Sequence, residues 1–191
     1  MKHLLYALLT AVSILFTSCG PSSNTNNPQV PNVPQPQPQP QPEVTQKVVI
    51  GYLALDDWEF ENLFPTIEWK YLTHINASFA RVKADGTLNI EPVRKRIESV
   101  RETAHKHNVK ILISLAKNSP GEFTTAINDP KARKELIQQI IAFTKEYKLD
   151  GFDIDYEEYD NWDKNFPSLL VFARGLYLAK EKNMLMTCAV N

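Results

Sequence analysis

Residues 150–157 read Asp150-Gly151-Phe152-Asp153-Ile154-Asp155-Tyr156-Glu157, and no other stretch constrains the fold of this chain as tightly. Phe152, Ile154 and Tyr156 alternate with Asp153, Asp155 and Glu157, the period-2 pattern of a β-strand. In a strand the three carboxylates share one face, with neighbours roughly 6.5–7 Å apart along it, and the apolar side chains share the other. Like charges that close raise one another's pKa. A fold tolerates such a row mainly where a held proton or a cation is useful, so the run predicts an active site.

Strands and helices alternate around it. Residues 47–54 (KVVIGYLA) read as a buried strand, 74–82 (HINASFARV) as a second and 109–116 (VKILISLA) as a third. The run 150–157 is the fourth and 184–190 (MLMTCAV) the fifth. Val93, Ile97, Val100 and Ala104 mark one helical face behind Pro92. Asp129-Pro130 supplies an N-cap and first-turn proline to a helix whose face carries Leu136, Ile140, Ile141 and Tyr147. A further helix is expected over 164–182, and 59–71 reads as a mixed connection. Such alternation means parallel βαβ units.

The acids choose between two architectures. In an open doubly wound sheet, three acids on one face of a central strand would be buried against helices. In a barrel that face points into the lumen and up to the C-terminal rim, where barrel enzymes hold their substrates. A closed (β/α)8 barrel typically takes roughly 250 residues, more than lie between Lys47 and Asn191. The expectation is therefore an α/β fold, a (β/α)8 TIM barrel cut off after its fifth strand, with two open sheet edges.

Residues 1–19 carry Lys2, an apolar run over 4–16 and the small residues Thr17 and Ser18 before Cys19. This reads as a secretory signal peptide whose apolar core is too short for a comfortable membrane span. A cysteine after small residues resembles the lipobox of bacterial lipoproteins, which implies lipidation of Cys19 and a membrane-anchored, exported protein of the bacterial envelope. An ordinary signal peptide with an incidental cysteine is the alternative. Residues 20–46 are rich in Pro and Gln, strictly alternating over 34–42, and read as a disordered polyproline II spacer. A ligand for a Pro-recognising domain is the other reading of that stretch. The chain has only 2 cysteines; Cys188 is expected buried, and no disulfide framework follows. The formal net charge is −1, with no basic field, which argues against nucleic acid as a partner.

The run from Asp150 to Glu157 matches the Asp-Gly-x-Asp-x-Asp-x-Glu signature and so resembles family-18 glycoside hydrolases, the chitinases and endo-β-N-acetylglucosaminidases. That family places the motif at the end of the fourth strand of a (β/α)8 barrel, the ordinal reached by counting strands. Gly51-Tyr52 resembles the family's first strand and Asn76 to Ala80 its second, which implies Tyr52 and Phe79 as substrate-binding residues; the likeness covers 47–191. The resemblance implies hydrolysis of β-1,4 bonds in N-acetylglucosamine polymers, with no cofactor, no metal and a glycan as partner, by a monomer when complete. Action on N-glycans is an alternative within the family, and a non-catalytic glycan-binding lipoprotein, or an inactive fragment, is an alternative outside it. Chitinase-like lectins replace the motif's glutamate; Glu157 is present.

By the same resemblance the substrate assists, where most retaining glycosidases use a second carboxylate. Glu157 would protonate the glycosidic oxygen while the sugar's N-acetyl carbonyl attacks the anomeric carbon. Asp155 would orient the acetamido group and stabilise the oxazolinium. Asp153 would share a proton with Asp155, and the stacked charges would keep Glu157 protonated near neutral pH. One departure stands out: the family's third strand usually ends Ser-x-Gly-Gly, where this chain has Ser114-Leu115-Ala116-Lys117. The family's tyrosine on the sixth strand and tryptophan on the eighth would fall beyond Asn191.

Other residues carry blander expectations. Glu158 and Asp160 read as solvated loop acids, and Asp150 as an anchor for the start of the strand. His105 and His107 do not share a helical face and read as solvated. Trp162, just past the motif, is a candidate sugar platform, whereas Trp58 and Trp69 read as packing. A metal-binding Asp-x-Asp pair for a nucleotide sugar lacks a phosphate cradle. A calcium loop would need polar residues and a glycine where Phe152, Ile154 and Tyr156 stand.

Overall fold

The computed structural model describes residues 47–158 and 161–189. The signal-peptide and linker readings, Cys19 and Asp160 lie outside the described residues. Strand β1 (Ile50–Ala54) leads through α1 (Phe60–Leu63) and two 3-10 turns to β2 (His74–Val82). A two-residue β3 (Leu88–Asn89), α2 (Glu91–Arg94) and α3 (Ile97–Lys106) precede β4 (Lys110–Lys117). Then come α4 (Glu122–Asn128), α5 (Pro130–Glu146), β5 (Gly151–Ile154), α6 (Trp162–Ala179) and β6 (Leu185–Cys188).

The main path of the sheet runs β1-β2-β4-β5-β6, all parallel, with β3 pairing antiparallel to the end of β2. Each parallel strand lies beside the next in sequence. A doubly wound sheet reverses its order at a switch point, and no reversal occurs among the described strands. Curvature agrees: the Tyr52 hydroxyl on β1 donates to Asp153 Oδ2 on β5 at 2.8 Å. Those strands stand three spacings apart, roughly 14 Å in a flat sheet. The sheet must bend toward its acid-bearing face, so the described residues form part of a (β/α)8 barrel wall, as expected.

Helices cover the outer face. Phe152 and Ile154 are fully buried, and Phe123 of α4 meets Tyr156 and Phe172 edge-on at 5.4 and 5.7 Å. The Asp129 carboxylate caps α5 by accepting from Ala132 N–H at 2.7 Å, with Pro130 in the first turn. Leu136 and Ile140 are buried beneath it. The helix expected behind Pro92 is two pieces, α2 and α3, yet Val93, Ile97, Val100 and Ala104 are all buried. Between the pieces the Arg96 side chain reaches out to Glu61 and to the carbonyls of Leu55 and Asp57, tying the loop after β1 to the helices.

Several expectations need correction. Strand β1 was expected buried, but Tyr52 is 50% exposed, because among the described residues only β2 pairs with it. Cys188 was likewise expected buried and is exposed; β6 has only β5 beside it among those residues. His105 is not merely solvated: it joins Lys110 and the Ile111 N–H on the Asp150 carboxylate, at 2.8, 2.9 and 2.9 Å. Burial pushes that carboxyl up, but these three donors outweigh it and hold it below the usual range. His107 stacks on Trp69 at 5.7 Å, and Trp69 is packing, as expected. Asp150 thus pins the start of β5 to β4.

Candidate active site

Strand β5 ends at Ile154, short of Glu157; among the described residues its ladders run on only through Asp155 N–H to Leu115 O at 3.0 Å and Ala189 N–H to Ile154 O at 2.9 Å. The alternation survives the end of the strand. Phe152, Ile154 and Tyr156 all join the core cluster, so the acids face the other way.

Asp153 is buried in the concave face, 1% exposed. Three hydroxyls from three other strands converge on it. Tyr52 and Ser114 donate to Oδ2 at 2.8 and 2.7 Å, and Thr187 donates to Oδ1 at 2.6 Å. Parallel register explains the convergence, since Ser114, Asp153 and Thr187 are direct partners across β4, β5 and β6. Burial, reinforced by the Asp153 carboxylate, pushes the Tyr52 hydroxyl up to about 12 against the opposing Asn76 amide. Tyr52 therefore stays a donor at any ordinary pH.

Asp155 behaves differently. Burial, then the neighbouring Glu157 and Asp153 carboxylates, raise its pKa, against the weaker pull of Lys117 and Arg81. A carboxyl with a raised folded-state pKa binds protons that the unfolded chain has lost. The destabilisation it causes is absent below the unfolded value, near pH 3.9, grows as pH rises toward the folded value, and is constant above it. Asp155→Asn should therefore melt higher than the parent at pH 7, with the difference vanishing near pH 3, as thermal scans at both pH values would show. An equal difference at both would contradict the assignment.

Glu157 is exposed at the rim, and its main-chain carbonyl accepts from the Lys117 ammonium at 2.7 Å. Glu158, expected to be solvated, is instead only 9% exposed. Its carboxylate accepts from the Gly121 and Thr124 N–H groups at 2.5 and 2.6 Å and from the Thr124 hydroxyl. Free N–H groups at the start of α4 need an acceptor, and Gly121 offers no side chain for the purpose.

The remaining candidates are dispersed. Phe79 sits where the β2–β4 register shifts, with the Arg81 guanidinium 4.9 Å over its ring. The side chain of Trp162 lies outside the described residues. Trp58, read as packing, is 83% exposed in the loop that follows the C-terminal end of β1, on the rim that carries the acids. Sequence reasoning missed Thr187 and Glu158, which appear only once register and loop geometry are known.

The chain is similar to several known proteins. A chitinase from Bacteroides thetaiotaomicron, known by its crystal structure, is 99% identical with a TM-score of 0.75, over 76% of this chain and 47% of that one. A chitinase-like effector from Moniliophthora roreri is 28% identical over 93 residues, covering 48% of this chain and 23% of the relative. Chitinase B from Serratia marcescens is 27% identical over 144 residues, 59% of this chain and 28% of the relative. The chain thus spans about half the length of the crystallised relative and about a quarter of the other two. The family model described as glycosyl hydrolases family 18 matches residues 48–191, most of the chain: it belongs to glycosyl hydrolases family 18.

Proposed function

We propose that these residues form the acid side of a site hydrolysing β-1,4 bonds in N-acetylglucosamine polymers, with the substrate's acetamido group as internal nucleophile. The observation that carries this is the contrast within one row of acids. Asp153 is surrounded by three hydroxyl donors, Asp155 is pushed toward holding a proton, and Glu157 stands at the open rim. Environments that differ between neighbouring carboxylates assign them different roles.

Glu157 gives its proton to the glycosidic oxygen as the bond from that oxygen to the anomeric carbon breaks. The acetamido carbonyl oxygen forms the new bond to that carbon, giving an oxazolinium. Asp155, passing its proton to Asp153, accepts a hydrogen bond from the acetamido N–H and balances the positive ring. Water then opens the ring, with the Glu157 carboxylate taking its proton. Tyr52 holds Asp153, and Trp58 offers a ring face for a sugar. The relatives described as chitinases favour a chitin-type polymer; cleavage of an N-glycan offered in place of chitin oligomers, with the oligomers left intact, would overturn that choice. Two inversions at one carbon retain configuration, so NMR should detect the β-anomer as the first product from chitin oligomers. An α-anomer formed first would overturn the substrate-assisted reading.

The same proposal places the protein in the bacterial envelope, held by lipid on Cys19 with 20–46 as spacer. Cys19→Ala should abolish metabolic palmitate labelling and move the protein to the soluble fraction. A lipid-free parent protein would remove the anchor from the proposal.

A further inference from the structure

Beyond Asp155 the chain leaves the sheet, and Glu157 belongs to no strand or helix. Its side chain is exposed, so the place of its carboxyl depends on how the main chain of 156–158 is held. Two side-chain contacts tie that segment to the stretch between β4 and α4. From the end of β4, the Lys117 ammonium donates to the Glu157 carbonyl at 2.7 Å. Within the segment, the buried Glu158 carboxylate accepts from Gly121 N–H, Thr124 N–H and the Thr124 hydroxyl, which also meets the Tyr156 hydroxyl at 2.6 Å. Lys117 stands where the family pattern has glycine, and glycine has no side chain with which to make the contact. The end of β4 is itself held, since Arg81 donates to the Lys117 carbonyl at 3.5 Å.

We propose that Lys117 and Glu158 are positioning residues for Glu157, the ammonium fixing its carbonyl and the buried carboxylate fixing the residue after it. This rests on the reading of Glu157 as general acid. An exposed charged contact of this kind contributes roughly 1 kcal/mol or less to stability. Rate is far more sensitive to position, because a misplacement of about 1 Å can cost on the order of 10²-fold. Lys117 therefore matters mainly to turnover.

The test compares Lys117→Met, Lys117→Arg and Glu158→Gln with the parent in the full-length chain. Lys117→Met should lower kcat for a chitin oligomer by about 10- to 10²-fold with KM nearly unchanged, and Lys117→Arg should restore most of the loss. Glu158→Gln, which keeps one acceptor oxygen, should fall between. Amide hydrogen exchange at 156–158 should quicken by about 10-fold or more in Lys117→Met and in Glu158→Gln alike, while the β4 and β5 amides stay protected. Unchanged kcat in Lys117→Met, or a loss that Lys117→Arg does not restore, would overturn the proposal. If the parent shows no turnover, the rates bear on the reading of Glu157 and not on the contacts made by Lys117 and Glu158. The exchange result then decides alone whether the two side chains hold this segment, and unchanged exchange would overturn that too.

Discussion

Glu157→Gln should lower turnover of a chromogenic N-acetylglucosamine oligomer by about 10²- to 10⁴-fold and leave its binding largely intact. Glutamine keeps the shape and one acceptor oxygen but has no acidic proton to give. If Glu157 protonates the leaving oxygen, the loss falls on an interaction made in the transition state, so kcat and kcat/KM drop together. The rest of the site should stay as it was. Glu157 is exposed, so the change leaves no buried charge unpaired, and Asp153 keeps its three hydroxyl donors. Calorimetric titration with a chitin oligomer alongside steady-state rates separates the effects. Retention of most activity would move the acid role elsewhere.

What could be read from the sequence, and what could not, follows from the range of the interactions. The alternation from Phe152 to Glu157 is local, so its apolar half faces the core as expected even though the strand stops at Ile154. The Asp129-Pro130 cap is local as well, and its hydrogen bond forms where the sequence placed it. Glu158 was misread because nothing within a few residues reveals its partners. Gly121 and Thr124 lie 37 and 34 positions away, and a glutamate in a polar loop is solvated unless tertiary structure brings donors to it. Trp58 was misread the other way: an aromatic ring is packing by default, and only the placement of its loop on the rim exposes it. Thr187 sits in an apolar run, and only the register of β5 against β6 turns its hydroxyl toward Asp153.

Gly151→Ala should be the most destabilising single-methyl change in the site, costing on the order of 3 kcal/mol or more. A Cβ there would stand 2.1 Å from the carbonyl oxygen of Leu185, and neither atom belongs to a flexible side chain that could swing away. Strands β5 and β6 would have to separate, and the register that sets Thr187 against Asp153 begins with the pair Gly151 and Leu185. With total stabilities of roughly 5–15 kcal/mol, such a loss would show as a melting temperature lower by on the order of 10 °C, or as insoluble protein. The matched control is Gly51→Ala on β1, whose Cβ would first meet the Leu72 Cδ2 methyl at 3.3 Å. That side chain can shift by a few tenths of an ångström, so the cost should stay below about 1 kcal/mol. Thermal melts of the two variants side by side test the contrast, because both add one methyl to a strand glycine. Equal losses would mean that added volume, and not the close approach of β6, limits residue 151.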